Sequence, residues 1–481
     1  MPGLPCVKCG YWSDVSRVPW VRVDPASQRR EIQSVSATHR LVAVACVALL
    51  LGGCRRKSPP HPATETRPAP SAFAGKPLRG KPRSSTDLTT TSAEIYLGNL
   101  DGQIAELTRL IRDRPDLTSN VLLLSAAHHT RGRFRGDLDE IQVGIDEVST
   151  CVRLTPEDAT PYLMRAEQEQ SLHRFKEARA DVERAKALGG DPTRTAGLEM
   201  DLDWNDGLYD TAIPAIRKAR LARPSTSTWI REAQLDHDLG LEAEADAAFE
   251  SAEDLISDTG PLVVAHLDVQ RGIQKTATGR LEEAVVFFRE AGVRMPTHVA
   301  AKEHLAETLH ALGRNDEAIR IYEEVVKLSD DPEFMHALAD LYAARGKTDE
   351  TKALEGKARA GYAQLLKKYP EAMYWHASEF YMATGDTKQA LELLQKNLIL
   401  RPNSTSFVAL ARAELANGRA EDAKKSIDKA LAMPLINATL FWTASRIYRS
   451  AGNAAAADTF RERAERINPR VAADEAPPTP R

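Results

Sequence analysis

This chain has little of what most functional signatures need. It has no phosphate-cradling glycine loop, no GxSxG elbow and no HExxH pair. His304 and His310 in HLAETLH lack the i, i+4 spacing that would let a helix offer two imidazoles to one metal. Five cysteines are scattered along 481 residues. Cys6 and Cys9 give half of a zinc set, and a structural zinc takes four ligands. The longest apolar run, Leu41 to Leu51, is eleven residues. A spanning helix takes about 20. Period-two alternation is missing over any useful length, so essentially no sheet is expected. Aromatics are 6% of the chain and net charge is −4. Residues 1–85 hold 14 Lys/Arg against 4 Asp/Glu, which leaves −14 on the remainder. An acidic body argues against nucleic acid as the partner.

What is present is a beat. Gly207, Gly240, Gly279, Gly313, Gly346, Gly385, Gly418 and Gly452 are spaced 33, 39, 34, 33, 39, 33 and 34 apart. Around Gly313, HVAAKEHLAETLHAL and RNDEAIRIYEEVVKL each carry apolar residues at helical spacing. The glycine supplies a tight, left-handed turn between two helices. With that glycine as position 15, small residues recur at position 8 (Ala166, Ala233, Gly272, Ala306, Ala339, Ala411), although Met200 stands there once. They recur at position 20 as well (Ala178, Ala212, Ala245, Ala284, Ala318, Ala390, Ala423, Ala457). Larger residues fill position 24 (Val182, Ile216, Phe249, Phe288, Tyr322, Leu394, Ile427), with Glu355 and Arg461 as departures. Prolines at position 32 stop the second helix.

This pattern resembles the tetratricopeptide repeat. The resemblance implies an all-α solenoid, a right-handed superhelix of helical hairpins. Nine clear units start near Ala159, Thr193, Thr226, Ala265, Val299, Pro332, Glu371, Ser404 and Ala438. Insertions are expected near Ser257 to Pro261 and Tyr362 to Pro370. His173 replaces the first turn glycine. Residues 91–158 read as degenerate repeats: a frayed second helix in GNLDGQIAELTRLIRDRPD, then a looser unit from about Ser125 to Glu157 interrupted by RGRFRGDLDE. The array is expected over 159–470, with a disordered tail over 471–481.

The N-terminal signal is THRLVAVACVALLLGGC. The apolar run is the length of a signal-peptide core. Leu51, Gly52, Gly53 and Cys54 look like a bacterial lipobox, a branched residue and two small ones before the cysteine to be acylated. The segment 35–53 then reads as a lipoprotein signal peptide. Residues 1–34 read as an extension ahead of a true start near Val35. Residues 54–90, rich in proline and basic side chains, read as a disordered tether. Its charges suit anionic head groups, and suit a merely solvated linker equally well. Cys151 would be the one thiol left, a small core residue at position 27.

By the resemblance, partners are held on the inner face of the first helices. Those positions give Trp204, Glu307, His310, Asp340, Trp375, Glu379, Arg412, Trp442, Arg446 and Arg449, alongside Glu167, Asp201 and Glu303. The middle is acidic and the C-terminal end basic, and exposed Trp and Arg are common binding anchors. The charges read equally as a solvated face. Trp229, at position 4, reads as core. His266, His336, His237 and His310 fall on inner-face positions and read as scattered surface histidines rather than a metal ring. The expectation is a protein or peptide partner in the groove, a lipid bilayer at the acyl anchor, no cofactor, no metal and no catalysis. The location expected is the bacterial cell envelope, at the periplasmic face of the outer membrane, because Arg55 is not the inner-membrane retention aspartate of enterobacterial lipoproteins. Two alternatives stay open: a soluble cytoplasmic adaptor or co-chaperone, and a metal-dependent enzyme built in the groove.

Overall fold

The computed structural model describes residues 88–257 and 260–474. Helices α1 (Ala93–Asp113), α2 (Thr118–Arg135) and α3 (Leu138–Leu154) come first. They are followed by α4 (Ala159–Ser171), α5 (Phe175–Ala187), α6 (Pro192–Asn205) and α7 (Tyr209–Ala222). Next come α8 (Thr226–Asp238), α9 (Glu242–Asp254), α10 (Pro261–Ala277) and α11 (Leu281–Arg294). The chain continues through α12 (Val299–Ala311), α13 (Asn315–Leu328), α14 (Pro332–Ala344), α15 (Thr348–Lys368) and α16 (Pro370–Ala383). The last elements are α17 (Thr387–Leu400), α18 (Ser404–Ala416), α19 (Ala420–Leu431), α20 (Ala438–Ser450), α21 (Ala454–Ile467) and α22 (Val471–Asp474). The described residues contain no strand. Each helix packs on the next, and hairpins run from α2/α3 to α20/α21. The fold is an all-α helical-hairpin solenoid.

The local chemistry follows the sequence. The turn glycines take φ of 70° to 84°, the left-handed region. His173 takes the same place with φ 56°, the one non-glycine with positive φ among the described residues. It is steadied by stacking on Phe175 at 5.6 Å. The alanines of position 20 are completely buried where the two helices of a hairpin cross. Val182, Phe249, Phe288 and Ile427 fill the spaces between hairpins, also buried. Short polar side chains cap many first helices: Asp158, Asp191, Ser225, Asp331, Asn403 and Asn437 each accept a first-turn N–H. Such a cap satisfies one of the donors that a helix start leaves open.

Two expectations are corrected, and the insertions are placed. The RGRFRGDLDE segment is no interruption: α2 ends on Gly136, in the left-handed conformation, and Asp137 caps α3. The insertion near Tyr362 to Pro370 lies largely in helix, and α10 begins at Pro261. α15 runs 21 residues and α10 runs 17. The tail does not begin at 471, because Val471–Asp474 forms a helical turn with Val471 buried. The lipobox residues Leu51, Gly52, Gly53 and Cys54, the signal segment and most of the tether lie outside the described residues. No helix among the described residues is long and apolar enough to cross a membrane.

The array also closes on itself along a seam. The intra-hairpin turns of early hairpins sit on the inter-hairpin loops of late ones. Asp139 accepts from Lys368 Nζ at 2.7 Å and from the Tyr369 hydroxyl at 2.6 Å. The Ser404 N–H donates to the Tyr209 hydroxyl at 3.2 Å. The Ile436 N–H donates to the Asp238 carbonyl at 2.8 Å. Arg470 donates to the Ala311 carbonyl at 2.6 Å. Leu172, Tyr369, Ala372 and Met373 share one apolar cluster, and Trp204, Tyr209 and Leu435 share another. At the N-terminal side, Arg294 donates to the Leu88 carbonyl at 3.0 Å. One further cluster joins α1 and α2 to α10, α11 and α12. Helix α10 is consequently buried almost all round.

Candidate binding surface

The first helices of successive hairpins are linked by a polar ladder. Gln168 on α4 donates to Ser125 on α2 at 2.7 Å. Arg194 on α6 meets Glu167 on α4 at 2.8 Å, and Arg231 on α8 meets Asp201 on α6 at 2.9 Å. Gln234 on α8 donates to Gln270 on α10. Further on, His376 on α16 meets Glu333 on α14 at 3.0 Å, and Arg412 on α18 lies 3.9 Å from Glu379 on α16. Equivalent positions of neighbouring hairpins face one another, so a side chain long enough to cross the gap finds its partner on the next unit.

Burial changes the charge of this strip. It pushes the Asp201 carboxyl up to about 7, against the pull of Arg231, with Glu167 adding to the rise. Glu169 reaches about 8, from burial first and Asp181 second. Asp236 reaches about 6, from burial and then Glu232. His129 and His266 are held down to about 3 by burial, with Arg133 adding repulsion in both. A carboxylate out of water loses solvation that only a close cation or donor replaces. Within the ladder this falls on Asp201, while Glu169 and Asp236 lie beside Asp181 and Arg217 on second helices.

The inner-face residues expected from sequence fall into different settings. Trp204 and Trp375 are not exposed anchors: they are 6% and 4% exposed. Trp204 packs edge-on to Tyr209 at 5.0 Å beside the seam, and Arg401 lies over the Trp375 ring at 5.9 Å. Their indoles are held by seam and hairpin contacts that inner-face numbering does not anticipate. Glu307 is half-buried, 3.7 Å from His304, and Asp340 is half-buried, 3.9 Å from His336. Trp442 is half-buried against the α18–α21 core. His310 is exposed and bonded to Asn315 at 2.8 Å. Arg446 and Arg449 are exposed, and Arg449 pairs with Asp458 at 2.7 Å. Trp229 is partly buried, with Arg220 over its ring at 4.7 Å. The acidic and basic parts of the strip therefore meet at the Glu379–Arg412 pair. The exposed charges among these residues, Arg446 and Arg449, lie at the C-terminal end.

Two features escaped sequence reasoning. His304, His336 and His376 are buried rather than scattered over the surface. They sit against Phe288 or Phe380 or beside carboxylates on neighbouring positions. Glu303, His304 and Glu307 bring three ligand-type atoms within 4.8 Å of one another. The spacing was visible in EHLAE, but a search for two histidines passes over a set with one. His128 and His129 face different partners: the first bonds Glu140, the second Ser171.

Residues 275–341 match the family model of the tetratricopeptide repeat. The matched stretch runs from the end of α10 to α14, and the other hairpins share its turn glycines and buried small residues. Among solved structures, yeast Tom70 shares 14% identity, with 78% of this chain and 90% of that one covered, at a TM-score of 0.36. The human IFIT1 dimer with PPP-AAAA shares 16% identity over 79% and 91%, at 0.39. A tetratricopeptide repeat protein from Parabacteroides merdae shares 15% identity over 50% and 93%, at 0.32. No curated protein matches the chain.

Proposed function

We propose that this protein is a non-enzymatic scaffold, held at a bacterial envelope membrane by an acyl group on Cys54, and that it captures an acidic segment of a protein partner. Repeat arrays of this kind present long binding surfaces rather than closed catalytic pockets. The observation that carries the partner chemistry is the position of Arg446 and Arg449, exposed beside half-buried Trp442. The acidic residues upstream are engaged by the next hairpin: Glu379 by Arg412, Glu333 by His376. The cationic end is the exposed part of the strip, Arg449 pairing with Asp458 at its surface, and a carboxylate-rich or C-terminal segment complements it. Exposed charges of this type steer association and set specificity more than they add affinity.

Two experiments test the two halves. Metabolic labelling with a palmitate analogue should tag the wild type and miss Cys54→Ala. Equal labelling refutes the anchor and favours the soluble adaptor. A pull-down from native membranes should return a partner that Arg446→Glu with Arg449→Glu captures more slowly. Unchanged association places the binding surface elsewhere.

A further inference from the structure

Helix α12 brings one imidazole and two carboxylates together. His304 Nδ1 lies 3.1 Å from Glu303 Oε2 and 3.7 Å from Glu307 Oε2. One ligand atom from each residue lies within 4.8 Å of the other two, and no other group of His, Cys, Asp or Glu among the described residues converges in this way. The spacing explains the meeting. Glu307 is four residues from Glu303 and three from His304, and residues three and four apart are neighbours on a helix. The imidazole is held in place. It stacks on the Phe288 ring at 5.3 Å, and Phe288 is itself buried, its ring seated so close to Gly272 that a Cβ there would lie 2.4 Å away. Glu303 and His304 are buried, and Glu307 is half-buried, which gives an ion a way in. His336 and His376 also lie beside carboxylates, Asp340 at 3.9 Å and Glu333 at 3.0 Å, but form no such trio.

We infer that Glu303, His304 and Glu307 form a site for a divalent transition-metal ion of the zinc type, bound through one imidazole nitrogen and two carboxylate oxygens. The separations suit it. Zinc holds nitrogen and oxygen at about 2.0–2.2 Å, so tetrahedral ligands stand about 3.3–3.6 Å apart. The two distances from His304 fall on either side of that range. A cation between two carboxylates removes their mutual repulsion and replaces the solvation that burial takes from them. A third carboxyl stands near the group. On α22, burial pushes the Asp474 carboxyl up, Asn468 and Arg470 pull against the rise, and Glu307 adds repulsion. Arg470 lies 3.7 Å from Asp474 and offsets part of that charge, and Lys302, beside Glu303, bonds Glu324 at 2.7 Å. The imidazole sets the class of ion: magnesium and calcium take oxygen ligands, six or more for calcium, whereas imidazole suits zinc and its neighbours. Three protein ligands leave the fourth position of a tetrahedral ion to water.

The test is equilibrium dialysis of the full chain against Zn2+ at neutral pH, after treatment with a chelator. Cys54→Ala keeps the protein free of lipid, and Cys6→Ser, Cys9→Ser and Cys46→Ser remove thiols that would take zinc elsewhere. This parent should bind one zinc ion per chain. It should also unfold at a higher temperature with zinc than without, because the unfolded chain does not hold the trio together. Loss of even a group that supports a metal ligand costs about tenfold in affinity or more, so Glu307→Gln should weaken binding by more than about tenfold and abolish the shift. His128→Gln alters the other imidazole that meets two carboxylates, Glu140 at 2.5 Å and Glu147 at 3.7 Å. It should leave zinc binding unchanged. Both positions are half-buried, and circular dichroism should show the parent's helicity in each variant. If Glu307→Gln loses helicity, Glu303→Gln carries the same expectation. Three outcomes overturn the inference: a parent that binds no zinc, a glutamine variant at 303 or 307 that binds as the parent does, or loss of binding in His128→Gln.

Discussion

Gly272→Ala should destabilise the array, although the same change in an open helix stabilises. Gly272 lies inside α10, and alanine there gains about 0.5–1 kcal/mol of helix propensity. Against this, the new Cβ would lie 2.4, 2.6 and 2.7 Å from three atoms of the Phe288 ring. Carbon atoms in contact prefer about 3.5–4.0 Å, so the ring must retreat by about 1 Å. It has nowhere to go. Phe288 is 1% exposed, stacks on His304 at 5.3 Å, and belongs to the cluster that joins α1 and α2 to α10–α12. Overpacking of this kind costs about 1–3 kcal/mol, so the net loss should be about 0.5–2 kcal/mol. Gly356→Ala is the control. It lies in α15, exposed, with nothing within 4 Å, and should gain about 0.5–1 kcal/mol. Urea unfolding followed by far-ultraviolet circular dichroism should move the two midpoints in opposite directions. If Gly272→Ala rises together with Gly356→Ala, the hairpin crossing is looser than described and the reasoning fails.

Other outcomes can be checked in the same preparation. Glu169 titrates near 8 in the fold against an ordinary 4.5, so the folded state binds its proton more tightly and stability falls as pH rises through that window. Denaturation midpoints for Glu169→Gln should fall less steeply between pH 6.5 and 8 than those of wild type, by up to about 1.4 kcal/mol per pH unit. His129 and His266, held near 3, shift the other way: stability is lost as pH falls below 6.5. Cys151 is fully buried, its thiol pushed up to about 11 by burial and then Glu147, so a thiol reagent should modify it only in denaturant. Asp139→Ala with Tyr209→Phe removes three seam hydrogen bonds and leaves the hairpins intact. Small-angle scattering should report a larger radius of gyration with unchanged helicity, and an unchanged radius would mean that the apolar clusters alone hold the seam.

The hairpins were legible because they are made by contacts within one repeat. A small residue at position 20 and a glycine at position 15 act on helices that adjoin in sequence, so Ala318 and Gly313 could be assigned their places from spacing alone. The α2/α3 hairpin was misjudged because its turn glycine, Gly136, falls three residues before the expected position. The seam was not legible at all. It joins Tyr209 to Ser404 and Asp139 to Tyr369, 195 and 230 residues apart. None of those side chains differs in type from a solvated surface residue. Whether distant hairpins meet depends on small rotations between neighbours, summed over many units, and no single position records that sum.

The same sum explains why the inner-face charges pair between hairpins while the inner-face tryptophans are buried. The ladder links adjacent hairpins, so Glu167, Asp201 and Glu379 met cations one unit away, as near-neighbour geometry requires. Trp204 packs against Tyr209, the residue that carries a seam bond, and its burial depends on the coil being closed there. A partner seeking Trp204 would have to part the seam, breaking the Tyr209–Ser404 bond and re-exposing Leu435. A partner reaching Arg446 and Arg449 needs none of this, because they lie on α20, near the end of the coil. Binding confined to that end should leave the scattering radius unchanged. Binding that reaches Trp204 should increase it, so the radius measured with and without partner locates the occupied part of the strip.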